Sequence, residues 1–253
     1  MKIKLADISP RAPKNLDKDQ VKEELKDLAD KIGELQNKLY ANKKQSLLIV
    51  LQGMDGTGKD STTRALFDKC SPSGVQVTAY KKPSEEEFAH DFLWRVHKQV
   101  PEKGMVKIFN RSHYEDILIQ YVHGWIDDKK RDLRMNSINA FEETLQYDAN
   151  TVIIKFYMHM SPDEQHKQLM ERVEEPEKYW KHNDGDWEER KLWDKYMDAY
   201  EYVLNNSSIP WTVLPCDQEW YRNYVAAKTV ISALEQLNLG YPPLNSQLFK
   251  PKA

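Results

Sequence analysis

The chain has 253 residues, and its 37 lysines and arginines nearly balance its 40 aspartates and glutamates, for a net charge of −3. This length suits a single α/β domain with a large core, and the charge balance predicts no nucleic acid partner. Two cysteines predict neither a disulfide framework nor a zinc site. No apolar run approaches membrane length and no signal-peptide core is present, so we expect a cytoplasmic enzyme that does not bind membranes.

Residues 1–45 predict an arm followed by a long helix. Pro10 and Pro13 favour an extended arm, and Asp17 is a candidate helix cap. Apolar residues then recur at steps of three and four and form a seam of Val21, Leu25, Leu28, Ile32, Leu35 and Leu39. Such a seam packs on the helix's own domain or forms a subunit contact. The second interpretation predicts a homo-oligomer.

A strand, a glycine-containing loop and a helix follow one another between residues 46 and 67. The apolar run 47–51 is typical of a buried parallel strand, and residues 53–59 match G-x-x-x-x-G-K. Glycines with positive φ let several amide groups converge, while the helix start and the Lys59 ammonium attract anions. We therefore predict a phosphate-binding loop rather than a simple turn. Its expected phosphate ligands are Gly56, Thr57, Gly58, Lys59, Asp60 and Ser61.

Two acids in this loop predict a divalent cation. The hydroxyl that usually follows the loop lysine and holds Mg²⁺ is replaced by Asp60, and Asp55 lies inside the loop. Carboxylates among phosphate-binding amides are repulsive unless a cation lies between them. We expect Mg²⁺, with Mn²⁺ as an alternative. Asp60 could instead merely suit the helix dipole.

Polar residues follow the second and third predicted strands. Residues 75–80 alternate as a strand and end in Lys81 and Lys82. These lysines either bind phosphates at the shared edge of the sheet or are simply solvated. Residues 105–109 form the third strand and are followed by Asn110 and Arg111. Arg111 could bind a phosphoryl group with two hydrogen bonds.

The acids that follow the third strand have two possible roles. In many phosphate-loop enzymes this strand ends in an acid that holds Mg²⁺. Here Asn110 has that position, and Glu115 and Asp116 come five and six residues later as candidate metal ligands. Alternatively, Asp116 forms a structural ion pair with Arg111.

The rest of the chain completes the predicted sheet. Residues 151–157 and 209–215 are the fourth and fifth strands, and residues 220–239 are the last long helix. Residues 172–192 mix basic and aromatic side chains around a flexible break, which suits a lid that closes on phosphates and a base. An ordinary helix–turn–helix surface is the alternative. Residues 241–253 are expected to form a tail.

Several of these motifs together resemble the polyphosphate kinase 2 family. The resemblance covers nearly all of residues 15–240. Its clearest carriers are Gly53-Met54-Asp55, Gly58-Lys59-Asp60, Lys81-Lys82-Pro83, the run from Phe109 to Asp116, and Val213-Leu214-Pro215-Cys216-Asp217.

This resemblance implies a thymidylate-kinase-like P-loop kinase fold, in which helices flank a five-stranded parallel sheet and form a lid. It also implies Mg²⁺-dependent transfer of a terminal phosphoryl group between inorganic polyphosphate and a nucleotide. Lys59 and Arg111 match family residues that bind phosphates, and Asp55 matches a magnesium ligand. Asn110 replaces an aspartate of many members, and Glu115 with Asp116 replaces an asparagine–arginine pair. That pattern resembles the subgroup that phosphorylates both AMP and ADP.

From these observations we expect a single phosphotransferase domain over residues 1–253. Lys59, Arg111, Lys181 and Arg190 would stabilise the transferred group, and Asn110 would lie beside it. Lys81, Lys82 and Arg95 would hold more of the polyphosphate, and Glu115 is the candidate that steers the acceptor phosphate or its metal. The expected nucleotides are AMP, ADP and ATP, with GDP possible.

Three other functions fit parts of the sequence. An ATP-dependent nucleotide kinase would use the same loop to hold ATP. A nucleotide-dependent switch is less well supported, because no N-K-x-D motif for reading guanine is present. A polyanion-binding scaffold conflicts with the acidic charge balance.

Overall fold

A computed structural model describes residues 2–249 and contains one five-stranded sheet in the order β2–β3–β1–β4–β5. Every adjacent pair of strands is parallel. The strands are β1 (Ser46–Gln52), β2 (Val75–Ala79), β3 (Val106–Asn110), β4 (Thr151–His159) and β5 (Trp211–Pro215). The predicted parallel sheet is confirmed, and the strand ends differ from the sequence-based bounds by no more than two residues.

Helices cover both faces of this sheet. The longer ones are α1 (Lys18–Asn42), α2 (Lys59–Phe67), α6 (Asp128–Tyr147), α7 (Pro162–Glu174), α9 (Trp193–Asn206) and α10 (Glu219–Glu235). The shorter ones are α3 (Glu85–Phe88), α4 (Trp94–His97), α5 (Ile119–Val122) and α8 (Asp184–Arg190). No helix within residues 2–249 is long and apolar enough to cross a membrane.

Strand β1 is the centre of the core, because every one of its residues is buried. Its side chains alternate between two apolar clusters. Leu48 and Val50 belong to the cluster on one face, and Leu47, Ile49 and Leu51 belong to the cluster on the other. A strand that is covered on both faces needs a continuous apolar run, which explains why the sequence signal of β1 was strong.

The apolar seam of α1 packs on the chain's own last helix. Asp17 caps α1, because its Oδ1 accepts hydrogen bonds from the amides of Asp19 and Gln20. Ile32 and Leu39 are fully buried in the same cluster as Val230 and Leu234 of α10. This contact supports the interpretation that the seam packs on its own domain. No subunit contact is needed to explain the seam.

The N-terminal arm is docked along its length. The Ile3 amide donates to Asn205 Oδ1 at 2.7 Å, and the Leu5 amide donates to Glu201 Oε1 at 2.8 Å. Further along, the Ala12 amide donates to Gln218 Oε1 at 2.8 Å. The arm therefore holds α9 and the start of α10.

The predicted lid segment consists of the end of α7, a 3₁₀ turn over Pro176–Lys181, and α8. Arg172 of α7 pairs with Asp186 of α8 at 2.6 Å, which ties the two ends of the segment together. At the end of the chain, residues 241–249 are exposed and contain no helix or strand. Residues 250–253 of the predicted tail lie outside the described part of the chain.

Candidate active site

The site lies where β1 and β3 end side by side. Leu51 of β1 is in register with Asn110 of β3, and the Arg111 amide donates to the Leu51 carbonyl at 3.0 Å. The chain leaves β1 towards β2 on one side and leaves β3 towards β4 on the other, so a crevice opens between them. Ligands of open parallel sheets bind at such points.

The loop after β1 has the conformation that the glycine spacing predicts. Gly53, Gly56 and Gly58 all have positive φ, and α2 begins at Lys59. The Lys59 ammonium is buried and donates to the Gly53 carbonyl at 2.9 Å and to the Met54 carbonyl at 3.1 Å. Burial lowers the pKa of Lys59, while Asp55 counteracts that effect. The lysine thus lies over the loop, close to where a phosphate would bind.

Asp55 and Arg111 form an ion pair across the crevice. Nη2 of Arg111 donates to both Asp55 carboxylate oxygens, at 2.7 Å and 2.8 Å. Burial alone raises the pKa of the Asp55 carboxyl, but Lys59 and Arg111 outweigh burial, so that pKa lies below its ordinary value. The alternative interpretation, in which Arg111 forms an ion pair with Asp116, is therefore wrong, because Arg111 pairs with Asp55.

A cavity of about 800 Å³ opens above this pair and beneath the lid segment. Many of the predicted site residues line its wall: Asp55, Gly56, Gly58, Lys59, Asp60, Ser61, Lys81, Lys82, Asn110, Arg111 and Lys181. The wall also contains residues that the sequence did not indicate as ligands, among them Arg172, Lys178, Trp180, Glu171 and Glu219. The first three lie inside the segment predicted as a lid, so its basic and aromatic composition was the available signal.

Two predicted phosphate-binding arginines point elsewhere. The Arg95 guanidinium is buried over the Tyr80 ring, where it donates to the Lys81 carbonyl at 2.9 Å and lies 3.5 Å from Asp116. The Arg190 guanidinium donates to the Pro162 carbonyl, at 2.8 Å, and to a side chain of α7. Both cations stabilise the walls of the cavity rather than line it. The Thr57 side chain is likewise buried, and its hydroxyl donates to the Met54 carbonyl within the loop.

The two acids after β3 have different surroundings. Asp116 is buried and accepts a hydrogen bond from Gln120 Nε2 at 2.6 Å, and burial raises its pKa. This placement corrects the expectation that Asp116 holds a metal, because its carboxylate faces the protein interior. Glu115 Oε1 accepts from Gln52 Nε2 at 3.0 Å, at the carboxyl end of β1.

The cavity wall offers oxygen ligands suited to Mg²⁺. The Asp55 and Asp60 carboxylates both line it, and Asp60 Oδ1 accepts from Asn110 Nδ2 at 2.5 Å. Within residues 2–249 there is no group of three His, Cys, Asp or Glu side chains that could hold a metal. Mg²⁺ commonly binds one or two carboxylates, water and substrate phosphates. Asp55 and Asp60 therefore fit a magnesium site that the substrate completes.

Comparison with known proteins agrees with this geometry. The family model described as polyphosphate kinase 2 matches residues 15–240. The chain belongs to the polyphosphate kinase 2 family. It is 45% identical, over 215 residues, to the AMP/ADP-polyphosphate phosphotransferase of Meiothermus ruber, and the match covers 84% of this chain and 80% of that protein. It is 37% identical, over 240 residues, to the ADP-polyphosphate phosphotransferase of Rhodopseudomonas palustris, with 89% and 83% coverage.

A solved structure gives the same answer for the fold. The crystal structure of polyphosphate kinase 2 from Arthrobacter aurescens matches with a TM-score of 0.93 and 39% sequence identity. The match covers 97% of this chain and 89% of that one. The P-loop kinase fold expected from the sequence is thereby confirmed.

In this polyphosphate kinase 2 chain, a buried arginine of α10 supports the phosphate loop from behind. Arg222 Nη1 donates to the Thr57 carbonyl at 3.1 Å, and Nη2 donates to Ser61 Oγ at 2.8 Å. A Cβ atom at Gly58 would clash with the same guanidinium. Arg222 therefore fixes the loop on its far side. No local sequence pattern indicates this residue, because its partners lie more than 150 positions away in the chain.

A second missed feature is a fully buried polar network behind the loop that follows β3. Glu142 of α6 accepts from Lys155 Nζ at 2.6 Å, from the Tyr114 hydroxyl at 2.9 Å, and lies 3.1 Å from His113 Nε2. Burial alone raises the pKa of Glu142, but His113 and Lys155 outweigh it and lower that pKa. The network anchors the turn His113–Asp116, which is separated from Arg111 by Ser112 alone.

Proposed function

We propose that this protein transfers the terminal phosphoryl group of inorganic polyphosphate to a nucleotide, converting ADP to ATP and AMP to ADP. The observation that carries the proposal is the cavity beneath the lid segment. Seven cationic side chains line it, namely Lys59, Lys81, Lys82, Arg111, Arg172, Lys178 and Lys181. Polyphosphate has neither base nor sugar, so an enzyme can recognise it only through charge and phosphate oxygens.

The names of the similar proteins support the choice of acceptors. The relative from Meiothermus ruber is named for AMP and ADP, and the relative from Rhodopseudomonas palustris is named for ADP. The higher identity is to the first of these two proteins. AMP and ADP are therefore the proposed acceptors, and use of GDP remains a prediction. A homo-oligomeric state and a cytoplasmic location remain predictions as well.

In the proposed mechanism, a phosphoryl group replaces Asp55 as the partner of Arg111. Both side chains are partly exposed to the cavity, so a phosphoryl group can compete for the guanidinium. Arg111 then binds the transferred group in a forked arrangement, together with Lys59. The Asp55 carboxylate, once free of Arg111, would hold Mg²⁺ together with Asp60. Bound Mg²⁺ would neutralise negative charge on the phosphates.

The acceptor side of the reaction needs alignment more than it needs a base. A nucleotide phosphate is already ionised at neutral pH, so its oxygen can attack without a strong proton acceptor nearby. Glu115 is proposed to steer that phosphate or its metal from the end of β1, where it bonds to Gln52.

We propose that residues 172–192 close over the cavity as a lid. The Trp180 side chain is 79% exposed although it lines the cavity, and the Lys181 ammonium lies 5.1 Å from its ring centroid. An exposed tryptophan gains burial when it covers a nucleotide base. Lid closure would also exclude water, which otherwise competes with the acceptor.

The deciding experiment measures ATP formation from ADP, polyphosphate and Mg²⁺ with no ATP added. We expect turnover by the wild type. The variant Lys59→Ala should lose about 10²–10³ in rate, as when one charge-stabilising donor is removed. Lys103→Ala changes an exposed lysine outside the cavity and serves as the control. Near-normal turnover by folded Lys59→Ala would remove the central assignment.

The same assay separates the proposal from an ATP-dependent nucleotide kinase. In that case AMP would be phosphorylated with ATP as donor, and polyphosphate alone would give no product. Product formation only in the presence of ATP would therefore contradict the proposed donor.

A further inference from the structure

A second and larger cavity, of about 1210 Å³, lies beside the phosphate cavity. It is bounded by the N-terminal arm, the first turns of α1 and the start of α10. Its wall includes four cations, Arg11, Lys14, Lys18 and Lys22, together with the Trp220 ring. We call this feature the arm groove. The proposed function gives it no role.

The lysines of the arm groove, of which Lys18 and Lys22 belong to α1, differ from the other lysines of that helix. Lys26, Lys31 and Lys38 of α1 each pair with a glutamate, at 2.8, 3.5 and 2.6 Å. By contrast, Lys14, Lys18 and Lys22 are exposed, and the described residues 2–249 provide no ion-pair partner for any of the three. Among the lysines of α1, Lys18 and Lys22 are thus the two without an ion-pair partner in the described residues.

This arrangement is unfavourable for the protein alone. Lys18 and Lys22 are four residues apart, so two like charges lie on one face of α1 and repel each other. They also lie at the N-terminal end of the helix, where the dipole disfavours cations. A bound polyanion would reverse both effects.

The acids of the groove do not cancel this charge. Asp217 is buried and accepts hydrogen bonds from the Ser161 amide and hydroxyl, and it also pairs with Arg11 at 3.1 Å. Glu219 pairs with Arg222 at 3.3 Å. Both carboxylates therefore already have partners, and the three lysines remain available.

The arm groove adjoins the phosphate cavity. Glu219 belongs to the walls of both, at the point where α10 begins next to the phosphate loop. A linear chain that leaves the phosphate loop on this side would reach Trp220 and then the three lysines. The two cavities therefore meet at the start of α10.

We propose that the arm groove binds the distal part of a long inorganic polyphosphate chain whose end is held at the phosphate loop. This inference rests on the proposed function, because it extends the donor site. It makes Lys14, Lys18 and Lys22 determinants of the preference for chain length. Short chains would occupy the phosphate cavity and would not reach the groove.

The test compares two triple variants. The first is Lys14→Gln/Lys18→Gln/Lys22→Gln, and the control is Lys103→Gln/Lys129→Gln/Lys130→Gln, in which exposed lysines outside both cavities are changed. KM and kcat are measured with long-chain polyphosphate and with the shortest linear chain that is turned over, at saturating ADP.

We expect the groove variant to raise KM for the long chain about tenfold, the combined effect of three exposed charge contacts. KM and kcat for the short chain should stay at the wild-type level. The slope of log KM for the long chain against log salt concentration should decrease by about 0.7 for each lost contact, as for single-stranded nucleic acids. The control variant should behave like the wild type.

Equal effects on long and short chains, or no effect on either, would overturn the proposal. A selective rise in KM for ADP would also overturn it, since the groove would then bind the nucleotide. Equilibrium binding of long-chain polyphosphate to the wild type and to the groove variant gives an independent reading. If the wild type binds this chain in the groove but does not transfer its phosphate, then the proposed function fails and the groove assignment stands.

Discussion

Two ion pairs of similar chemistry flank the loop after β3, and they differ in their access to water. The Asp55 and Arg111 side chains are 28% and 35% exposed, whereas Glu142 and Lys155 are both 0% exposed. The first pair faces the phosphate cavity and the second lies in the core. An exposed pair is weakly held and can change partners, while a buried pair has no competitor. The pair Asp55–Arg111 can therefore exchange its partners for substrate groups, whereas the pair Glu142–Lys155 supports the loop structurally.

The largest expected effect tests the supporting region. Glu142→Gln should lower the free energy of unfolding by about 3–5 kcal/mol, because it leaves the Lys155 ammonium buried without its carboxylate. Urea denaturation measures this change. Glu143→Gln alters the exposed neighbour and should stay within about 0.5 kcal/mol of the wild type. If Glu142→Gln lowered the free energy of unfolding by less than about 0.5 kcal/mol, the buried pair would not stabilise the fold.

The next effect tests the exchanging region. Arg111→Lys should reduce kcat about 10- to 100-fold, because a lysine cannot make forked hydrogen bonds to a phosphoryl group. The free energy of unfolding should hardly change, since the pair with Asp55 is partly exposed. Arg64→Lys, at an exposed position of α2, is the matched control. Should Arg111→Lys destabilise the protein and leave its rate intact, the contrast between the two regions would be reversed.

A smaller effect is expected at Glu115, which lies in the turn between the two regions. Glu115→Asn should impair phosphorylation of AMP more than that of ADP, by about two- to tenfold in kcat/KM, the size of one hydrogen bond. Steady-state assays with both acceptors and excess polyphosphate measure the ratio. Glu102→Asn is an exposed control. Equal losses with AMP and ADP would contradict a role for Glu115 in steering the acceptor.

The smallest effect is a change in how stability depends on pH. The folded-state pKa of Glu142 is lowered, so its contribution is present above the unfolded-state pKa and is lost as pH falls through the folded value. The stability difference between the wild type and Glu142→Gln should therefore shrink in acid. Urea unfolding from neutral pH downwards measures it. A difference that stays constant would mean that this carboxyl does not titrate with unfolding.

Local patterns predicted the parts of the molecule that local physics determines. The apolar run of β1 needs burial on both faces, and the glycines after it need positive φ, so the sequence itself carries the phosphate loop. The lysines after β2 and Arg111 after β3 follow from the rule that parallel strands end at one edge. Composition alone drew attention to residues 172–192, whose role as a lid stays a prediction.

Contacts between residues far apart in the chain determine where the Arg95 and Arg222 side chains lie. Arg95 follows a basic and aromatic pattern like that of the lid, yet its guanidinium turns inwards to Asp116 and Tyr80. Arg222 lies in an ordinary helix, yet it holds the phosphate loop. Such roles depend on which helices pack together, and no spacing within the sequence encodes that.

The docked arm has a consequence for the order in which the structure assembles. Ile3 and Leu5 bond to Asn205 and Glu201 of α9. These partners are about two hundred positions away, so closing the connecting loop carries a high entropic cost until the intervening sheet has assembled. Docking of the arm must therefore follow the packing of α9, and the arm groove forms late in folding.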